Sequence, residues 1–282
     1  MPCDATTSAP DHWIVDAVRD LEGTARDASP ALRRRLDAAL ARLTHMNGAT
    51  SLQEGLVRPA STPFVAAVDA CASDLGLADD PRVALMGRAT LMLYAYVRVQ
   101  DDLVDEPERV DRASVYAAEA LLAEHLVRFA EAVRDPEAHR WRSRLMRRFA
   151  EVAAMEVDAR DAKDLDGDLG WMGEKFLPMA VPLVGLAVLA GRGERCASLV
   201  AFVRDVGAAL QLVNDVFNVA EDRAAGRTTP VLRWMRAPSV DADAPRVRAA
   251  LLGTWLLKEP FTMRRALGTC AIVAGVMALR LA

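Results

Sequence analysis

The stretch Pro81–Asp105 reads PRVALMGRATLMLYAYVRVQDDLVD and decides the fold. It is apolar on almost all sides until its last turns, as expected of a helix inside a large helical bundle. Those turns carry one aromatic, one basic and three acidic side chains: Tyr94, Arg98, Asp101, Asp102 and Asp105. At about 100° per residue, the five side chains fall within an arc of about 100°. Three carboxylates and one arginine therefore share one helix face, which we call the first stripe.

Residues 199–222 follow the same plan, with an apolar beginning and a polar end. The polar side chains of this segment project within an arc of about 120°. We call them the second stripe, and they are Gln211, Asn214, Asp215, Asn218, Glu221 and Asp222. Either stripe taken alone fits equally well a helix end that emerges into solvent, with its acids neutralised by neighbouring arginines.

A divalent cation would relieve the repulsion within the first stripe. Asp101 and Asp105 lie one turn apart and repel each other, and acids near a helix C-terminus oppose the helix dipole. Carboxylate and amide oxygens at this spacing suit Mg²⁺, which favours carboxylates combined with the phosphate oxygens of a substrate. Two such stripes on separate buried helices predict the two walls of one metal-bridged phosphate site.

The chain has 282 residues, 52 % of them hydrophobic and 26 % charged, so it can bury a large core. Because strand signals are rare, we predict a single all-α domain over residues 1–282, with 1–12 flexible. Ten helices are predicted, over residues 13–22, 30–43, 62–75, 81–105, 112–134, 140–161, 169–190, 194–225, 244–258 and 261–281.

The net charge and the cysteines of the chain indicate which binding partners and which cellular compartment to expect. A net charge of −4 gives no general attraction to polyanions, so we expect no nucleic-acid partner. The four cysteines form no CxxC pair and the first residues show no secretory signal, which indicates a cytoplasmic location. The apolar runs 176–191 and 266–279 are shorter than the roughly 20 residues of a membrane span. We interpret them as buried helices and leave peripheral membrane contact open.

Two motifs carry a resemblance to a known family. Residues 94–106, YAYVRVQDDLVDE, resemble the first aspartate-rich motif of the squalene/phytoene synthase family. Residues 211–227, QLVNDVFNVAEDRAAGR, resemble its second motif without a gap. The resemblance covers roughly residues 61–230. The two motifs in this order are specific for the class I isoprenoid synthases as a superfamily, and less so for this family within it.

The second motif departs from the family pattern at Asn218, where an aspartate is usual. Asn214, Asn218 and Asp222 instead fall at the spacing of the metal-binding triad of class I terpene cyclases, with both later ligands substituted. The first motif is also a complete DDxxD, as in head-to-tail prenyltransferases and cyclases. The segment 226–230, GRTTP, resembles a prenyltransferase motif as well. The chain therefore combines features of several subfamilies.

The resemblance implies a helical bundle of the class I isoprenoid synthase type with a central active-site cavity. It implies two or three Mg²⁺ ions that bridge a diphosphate, with catalytic roles for Asp101, Asp105, Asn218 and Asp222. Asp102, Asn214 and Glu221 are further candidate metal ligands. The candidate substrate-binding residues are Tyr94, Arg98, Lys175, Gln211, Arg223 and Arg227. For Lys175, an ion pair with an acid such as Glu174 is an equally good interpretation.

The leading function that the resemblance implies is a prenyl-coupling transferase, which joins two prenyl diphosphates and releases pyrophosphate. Farnesyl and geranylgeranyl diphosphate are the expected substrates. A terpene cyclase, a lyase that ionises one prenyl diphosphate and closes the cation internally, is the alternative. A further alternative is a helical protein that binds diphosphate without catalysis. Substrate chain length, product and the choice between monomer and homodimer stay open.

Overall fold

The structure is a computed structural model that describes residues 11–45, 49–57, 62–105, 110–162, 170–224, 226, 229 and 232. Throughout this part of the chain the regular elements are helices and no strand occurs, which confirms the all-α prediction. The α-helices are α1 Asp11–Asp27, α2 Pro30–His45, α3 Leu52–Val57, α4 Thr62–Asp74, α5 Pro81–Asp105, α6 Val115–Ala132, α7 Pro136–Ala162, α8 Gly170–Glu174, α9 Leu177–Leu189 and α10 Cys196–Ala224. The predicted helices 244–258 and 261–281 and residues 1–10 lie outside the described residues.

Several helix boundaries differ from the predicted ones for local reasons. The predicted helix 140–161 begins earlier, at Pro136, because proline needs no amide partner in the first helical turn and Asp135 accepts a hydrogen bond of 2.7 Å from the backbone N–H of Glu137. The predicted helix 169–190 is divided into α8 and α9. Segments 112–134 and 194–225 each begin with a short 3₁₀ turn, at Arg112–Ser114 and Gly193–Arg195.

The short helix α3 is absent from the sequence predictions. Its N-terminus is fixed by Ser51, whose Oγ accepts a hydrogen bond of 3.1 Å from the backbone N–H of Glu54. The Glu54 carboxylate in turn accepts a hydrogen bond of 2.7 Å from the backbone N–H of Thr50. This reciprocal arrangement resembles a capping box and stabilises a helix of only one to two turns.

The described residues group into two compact units. The first unit comprises residues up to Leu145 together with Pro178–Leu199, and α5 runs through its centre. Its core joins Leu91 and Met92 of α5 to Trp13 of α1 and Leu121 of α6. Burial of these large apolar side chains stabilises this unit. None of the described helices combines the length and the hydropathy that crossing a membrane requires.

The second unit comprises Met146–Leu177 and the residues from Val200 onwards. It contains the end of α7, α8 and most of α10. Gly207 of α10 lies against Phe176, because a Cβ at Gly207 would come within 2.7 Å of the Phe176 ring and its Cβ. This close approach brings the segment after α8 next to α10, and so positions Lys175. The prediction of a single domain stays a prediction.

Candidate functional site

The first stripe lies at the C-terminal end of α5, in the first unit. Arg98 pairs with both neighbouring acids, since its Nη1 donates to Asp101 Oδ2 at 3.1 Å and its Nη2 lies 3.5 Å from Asp102 Oδ1. Arg42 of α2 donates from Nη1 to Asp102 Oδ2 at 3.0 Å. Tyr94, one turn before Arg98, is buried. Asp101 and Asp102 therefore have arginine partners, as the interpretation of the stripe as a solvated helix end expected. The side chain of Asp105 lies outside the described residues.

The second stripe lies on α10 in the second unit, and its polar groups partly satisfy one another. Gln211 Nε2 donates to Asp215 Oδ1 at 2.8 Å, and Asn218 Nδ2 donates to Asn214 Oδ1 at 3.3 Å. Asp215 and Asp222 are only 3 % and 5 % exposed. An acidic residue this deeply buried is costly unless its charge is neutralised or bound. Asp215 and Asp222 are therefore shielded from solvent, whereas Asn214 of the same stripe is exposed.

Asp215 is the most perturbed acid of the second stripe. Burial raises the pKa of its carboxyl to about 6, the hydrogen bond from Gln211 opposes this rise, and the negative charge of Asp222 adds to it. Its second oxygen, Oδ2, is buried with no hydrogen-bond partner among the described residues. A buried carboxylate oxygen without a partner is a donor atom that a hard cation or a proton can complete.

Lys175 lies close to the second stripe and has a different partner from the one expected. Its Nζ lies 2.7 Å from Glu156 Oε2 of α7, and both side chains are largely buried. Glu174 pairs instead with Arg148, at 2.7 Å, and with Arg204, at 3.5 Å. The charges of Lys175 and Glu156 both act on the pKa of Asp215, lowering and raising it respectively. The structure thus brings these groups into one cluster, which we call the α10 cluster: Glu156, Lys175, Gln211, Asp215 and Asp222.

Two members of the α10 cluster are absent from the predicted site residues. Asp215 belongs to the second stripe but was assigned no role, and Glu156 was not singled out. A signal for Glu156 exists in the sequence, because it lies at helical spacing from Leu145, Phe149 and Val152, which are buried. An acid that continues an apolar helix face is expected to have a buried partner.

Three predicted site residues remain to be placed, Glu221, Arg223 and Arg227. Arg223 is exposed at the end of α10. The side chains of Glu221 and Arg227 lie outside the described residues. Arg98, Asp101 and Asp102 lie in the first unit, whereas Lys175 and the second stripe lie in the second. Joint action of the two stripes therefore stays a prediction.

The residues of the second stripe fit a hard divalent cation by their chemistry. The donor set consists of carboxylate and amide oxygens, and Asp215 Oδ2 has no hydrogen-bond partner in the described part of the chain. Among the side chains that the structure describes, no three His, Cys, Asp or Glu residues form a group able to hold a metal ion. A Mg²⁺ ion would then need further oxygens from substrate phosphates and water, as this ion commonly uses.

Comparisons with known proteins add no assignment. Neither a protein family model, nor a curated protein, nor a solved structure matches this chain. The resemblance to isoprenoid synthases therefore rests on the two motifs alone.

Proposed function

We propose that this protein is a Mg²⁺-dependent isoprenoid synthase that ionises a prenyl diphosphate and forms carbon–carbon bonds, by joining two prenyl diphosphates with release of pyrophosphate. One observation above all supports this proposal. The acids of the second motif, Asp215 and Asp222, are buried on one face of α10, and one carboxylate oxygen there has no hydrogen-bond partner among the described residues. A purely solvent-facing helix end would not bury two acids seven residues apart.

The proposed roles follow from the chemistry of each side chain. Asp101, Asp105, Asn218 and Asp222 would hold the metal, which when bound neutralises charge that develops on the departing pyrophosphate. Asp102, Asn214 and Glu221 are the candidate additional ligands. Asn218 offers a carbonyl oxygen but no negative charge, so we expect weaker metal binding there than an aspartate would give.

Basic side chains would bind the diphosphate directly. Arg98 presents a guanidinium at the first stripe, and Lys175 presents an ammonium beside the second. Both are already paired with acids, so binding would exchange a carboxylate partner for a phosphate oxygen. The apolar beginnings of α5 and α10 would exclude water from the carbocation, since water would quench it. Tyr94, Gln211, Arg223 and Arg227 complete the proposed substrate contacts.

The test is an incubation of the purified chain with Mg²⁺ and prenyl diphosphates of several lengths, followed by pyrophosphate measurement and identification of the hydrocarbons. Farnesyl or geranylgeranyl diphosphate is expected to give Mg²⁺-dependent pyrophosphate release and a product with twice the carbon number of the substrate. Asp205, exposed on the same helix α10, supplies the matched control: Asp205→Asn should keep the activity that Asp222→Asn loses.

A terpene cyclase is the second candidate. The spacing of Asn214, Asn218 and Asp222 favours it, and the hydrogen bond between the two asparagines shows that these side chains lie on a common face. A product with the carbon number of the substrate would select the cyclase.

The third candidate is diphosphate binding without catalysis. The ion pairs of Asp101 and Asp102 with Arg98 favour it, because a carboxylate that is paired with arginine is less available to a metal ion. Absence of Mg²⁺-dependent pyrophosphate release with every substrate tested would select it.

A further inference from the structure

Lys175 is held beside α10 by the contacts of both of its neighbours in the chain. Glu174 forms an ion pair of 2.7 Å with Arg148. Phe176 lies so close to α10 that a Cβ at Gly207 would come within 2.7 Å of its ring. These contacts fix the backbone at Lys175, whereas the flexible four-carbon stem lets its ammonium exchange one partner for another.

Asp215 offers an incomplete carboxylate to a cation. The residue is only 3 % exposed. Its Oδ1 accepts the hydrogen bond of 2.8 Å from Gln211, whereas Oδ2 is buried with no hydrogen-bond partner in the described part of the chain. A buried carboxylate is costly unless hydrogen bonds, a proton or a cation compensate it. Asp215 Oδ2 is therefore an oxygen to which a hard cation could bind.

Lys175 supplies positive charge to this acid while its ammonium is bound to another one. Burial has the largest effect on the pKa of the Asp215 carboxyl; of the charged groups that also act on it, Asp222 and Glu156 raise the pKa and Lys175 lowers it. The Lys175 ammonium itself lies 2.7 Å from Glu156 Oε2, and both side chains are largely buried. Lys175 therefore acts on Asp215 through its charge. A divalent cation at Asp215 would be repelled by the same ammonium.

We propose that Lys175 is an internal competitor of the divalent metal, because its ammonium compensates the acids of the α10 cluster when no metal is bound and weakens metal binding at Asp215. This role rests on the proposed function, since it concerns the metal of that site. When a diphosphate replaces Glu156 as the partner of Lys175, the positive charge moves away from the acids. The site then favours a metal that arrives with a diphosphate over a metal alone.

Calorimetric titration of the full chain with Mg²⁺ alone, in the absence of any diphosphate, tests this role. Lys175→Gln should bind Mg²⁺ at least about tenfold more tightly than the unmodified chain, because one repelling charge is lost in a buried place. The glutamine amide can still donate a hydrogen bond to Glu156, which protects the packing. Lys175→Arg keeps the charge, so its affinity for Mg²⁺ should stay close to that of the unmodified chain.

Two further variants show whether the effect is local. Arg204→Gln is the matched control, because Arg204 also lies on α10, pairs with Glu174 at 3.5 Å and carries the same charge. It lies about 16 Å along the helix from Asp215, beyond the screening length, so its affinity for Mg²⁺ should stay within about twofold of the unmodified chain. Asp215→Asn, added to Lys175→Gln, should abolish the gain in affinity.

Three results would overturn the role of Lys175: binding by Lys175→Gln that is no tighter than that of the unmodified chain, an equal gain in Arg204→Gln, or a gain that survives Asp215→Asn. Circular dichroism verifies that each variant is folded. Because the titration contains no prenyl diphosphate, its failure is distinct from failure of the proposed function, which the pyrophosphate assay detects.

Discussion

The buried histidine of α6 makes the stability of the first unit depend on pH. His125 is almost fully buried, and its Nδ1 lies 2.9 Å from the carbonyl oxygen of Ala89 in α5. Its Nε2 is also buried and has no partner among the described residues. Burial lowers the pKa of the imidazole from 6.5 to about 4, the hydrogen bond to Ala89 opposes this, and the nearby charge of Arg142 adds to it. The folded protein therefore holds His125 neutral.

The sign and size of the effect follow from proton linkage. Between pH 6.5 and about 4, the unfolded chain binds a proton at His125 and the folded chain does not. The free energy of unfolding therefore falls as the pH is lowered through this range. His125 alone lowers the free energy of unfolding by about 2 kcal/mol between pH 7 and pH 5, and by about 3 kcal/mol between pH 7 and pH 4.

Urea unfolding at a series of pH values, with the unmodified chain and His125→Gln side by side, measures this contribution. The glutamine amide does not titrate, and it can donate to the Ala89 carbonyl. The difference between the two free energies of unfolding should change by about 2 kcal/mol from pH 7 to pH 5. Parallel curves for the unmodified chain and His125→Gln would refute the reasoning.

Three further predictions concern packing, helix propensity and ion pairing in the first unit. Gly87→Ala should lower the free energy of unfolding by about 1–3 kcal/mol, because its Cβ would lie 2.5 Å from the Trp13 ring. Gly23→Ala should instead raise the free energy of unfolding by about 0.5–1 kcal/mol, because alanine favours the helix and its Cβ would have nothing within 4 Å. Urea unfolding of both variants shows whether one is less stable and the other more stable than the unmodified chain. Asp20→Asn should lower the free energy of unfolding by about 1–3 kcal/mol, because Asp20 accepts hydrogen bonds of 2.6 and 2.9 Å from Arg88. An unchanged urea midpoint would contradict this last prediction.

Local chemistry made much of the helical architecture predictable. Helix α5 occurs over the predicted range, since Pro81 suits the first helical turn and the apolar run after it has no breaker. Helix α3 was missed although Ser51 and Glu54 have capping-box spacing, because one short turn offers little periodicity to detect. Helix α7 begins at Pro136 rather than at the predicted residue 140, because proline is tolerated in the first turn of a helix although it ends one elsewhere.

The candidate site was less predictable because ion pairs depend on tertiary structure. Helical spacing correctly placed Gln211 and Asp215 on one face, and their side chains share a hydrogen bond. No spacing rule selects Glu156 as the partner of Lys175, since the two are brought together by packing of α7 against the segment after α8. The same holds for Arg42, which reaches the first stripe from α2. Such partners are set by how the helices pack, which a linear pattern does not contain.

The proposed function requires that the two stripes act on one diphosphate. The most direct measurement is the initial rate of Mg²⁺-dependent pyrophosphate release from a prenyl diphosphate, compared for the unmodified chain, Asp101→Asn, Asp222→Asn and the double variant. Groups that act as one unit lose activity together, so each single variant should be as inactive as the double variant. Release at an unchanged rate by both single variants would contradict the claim.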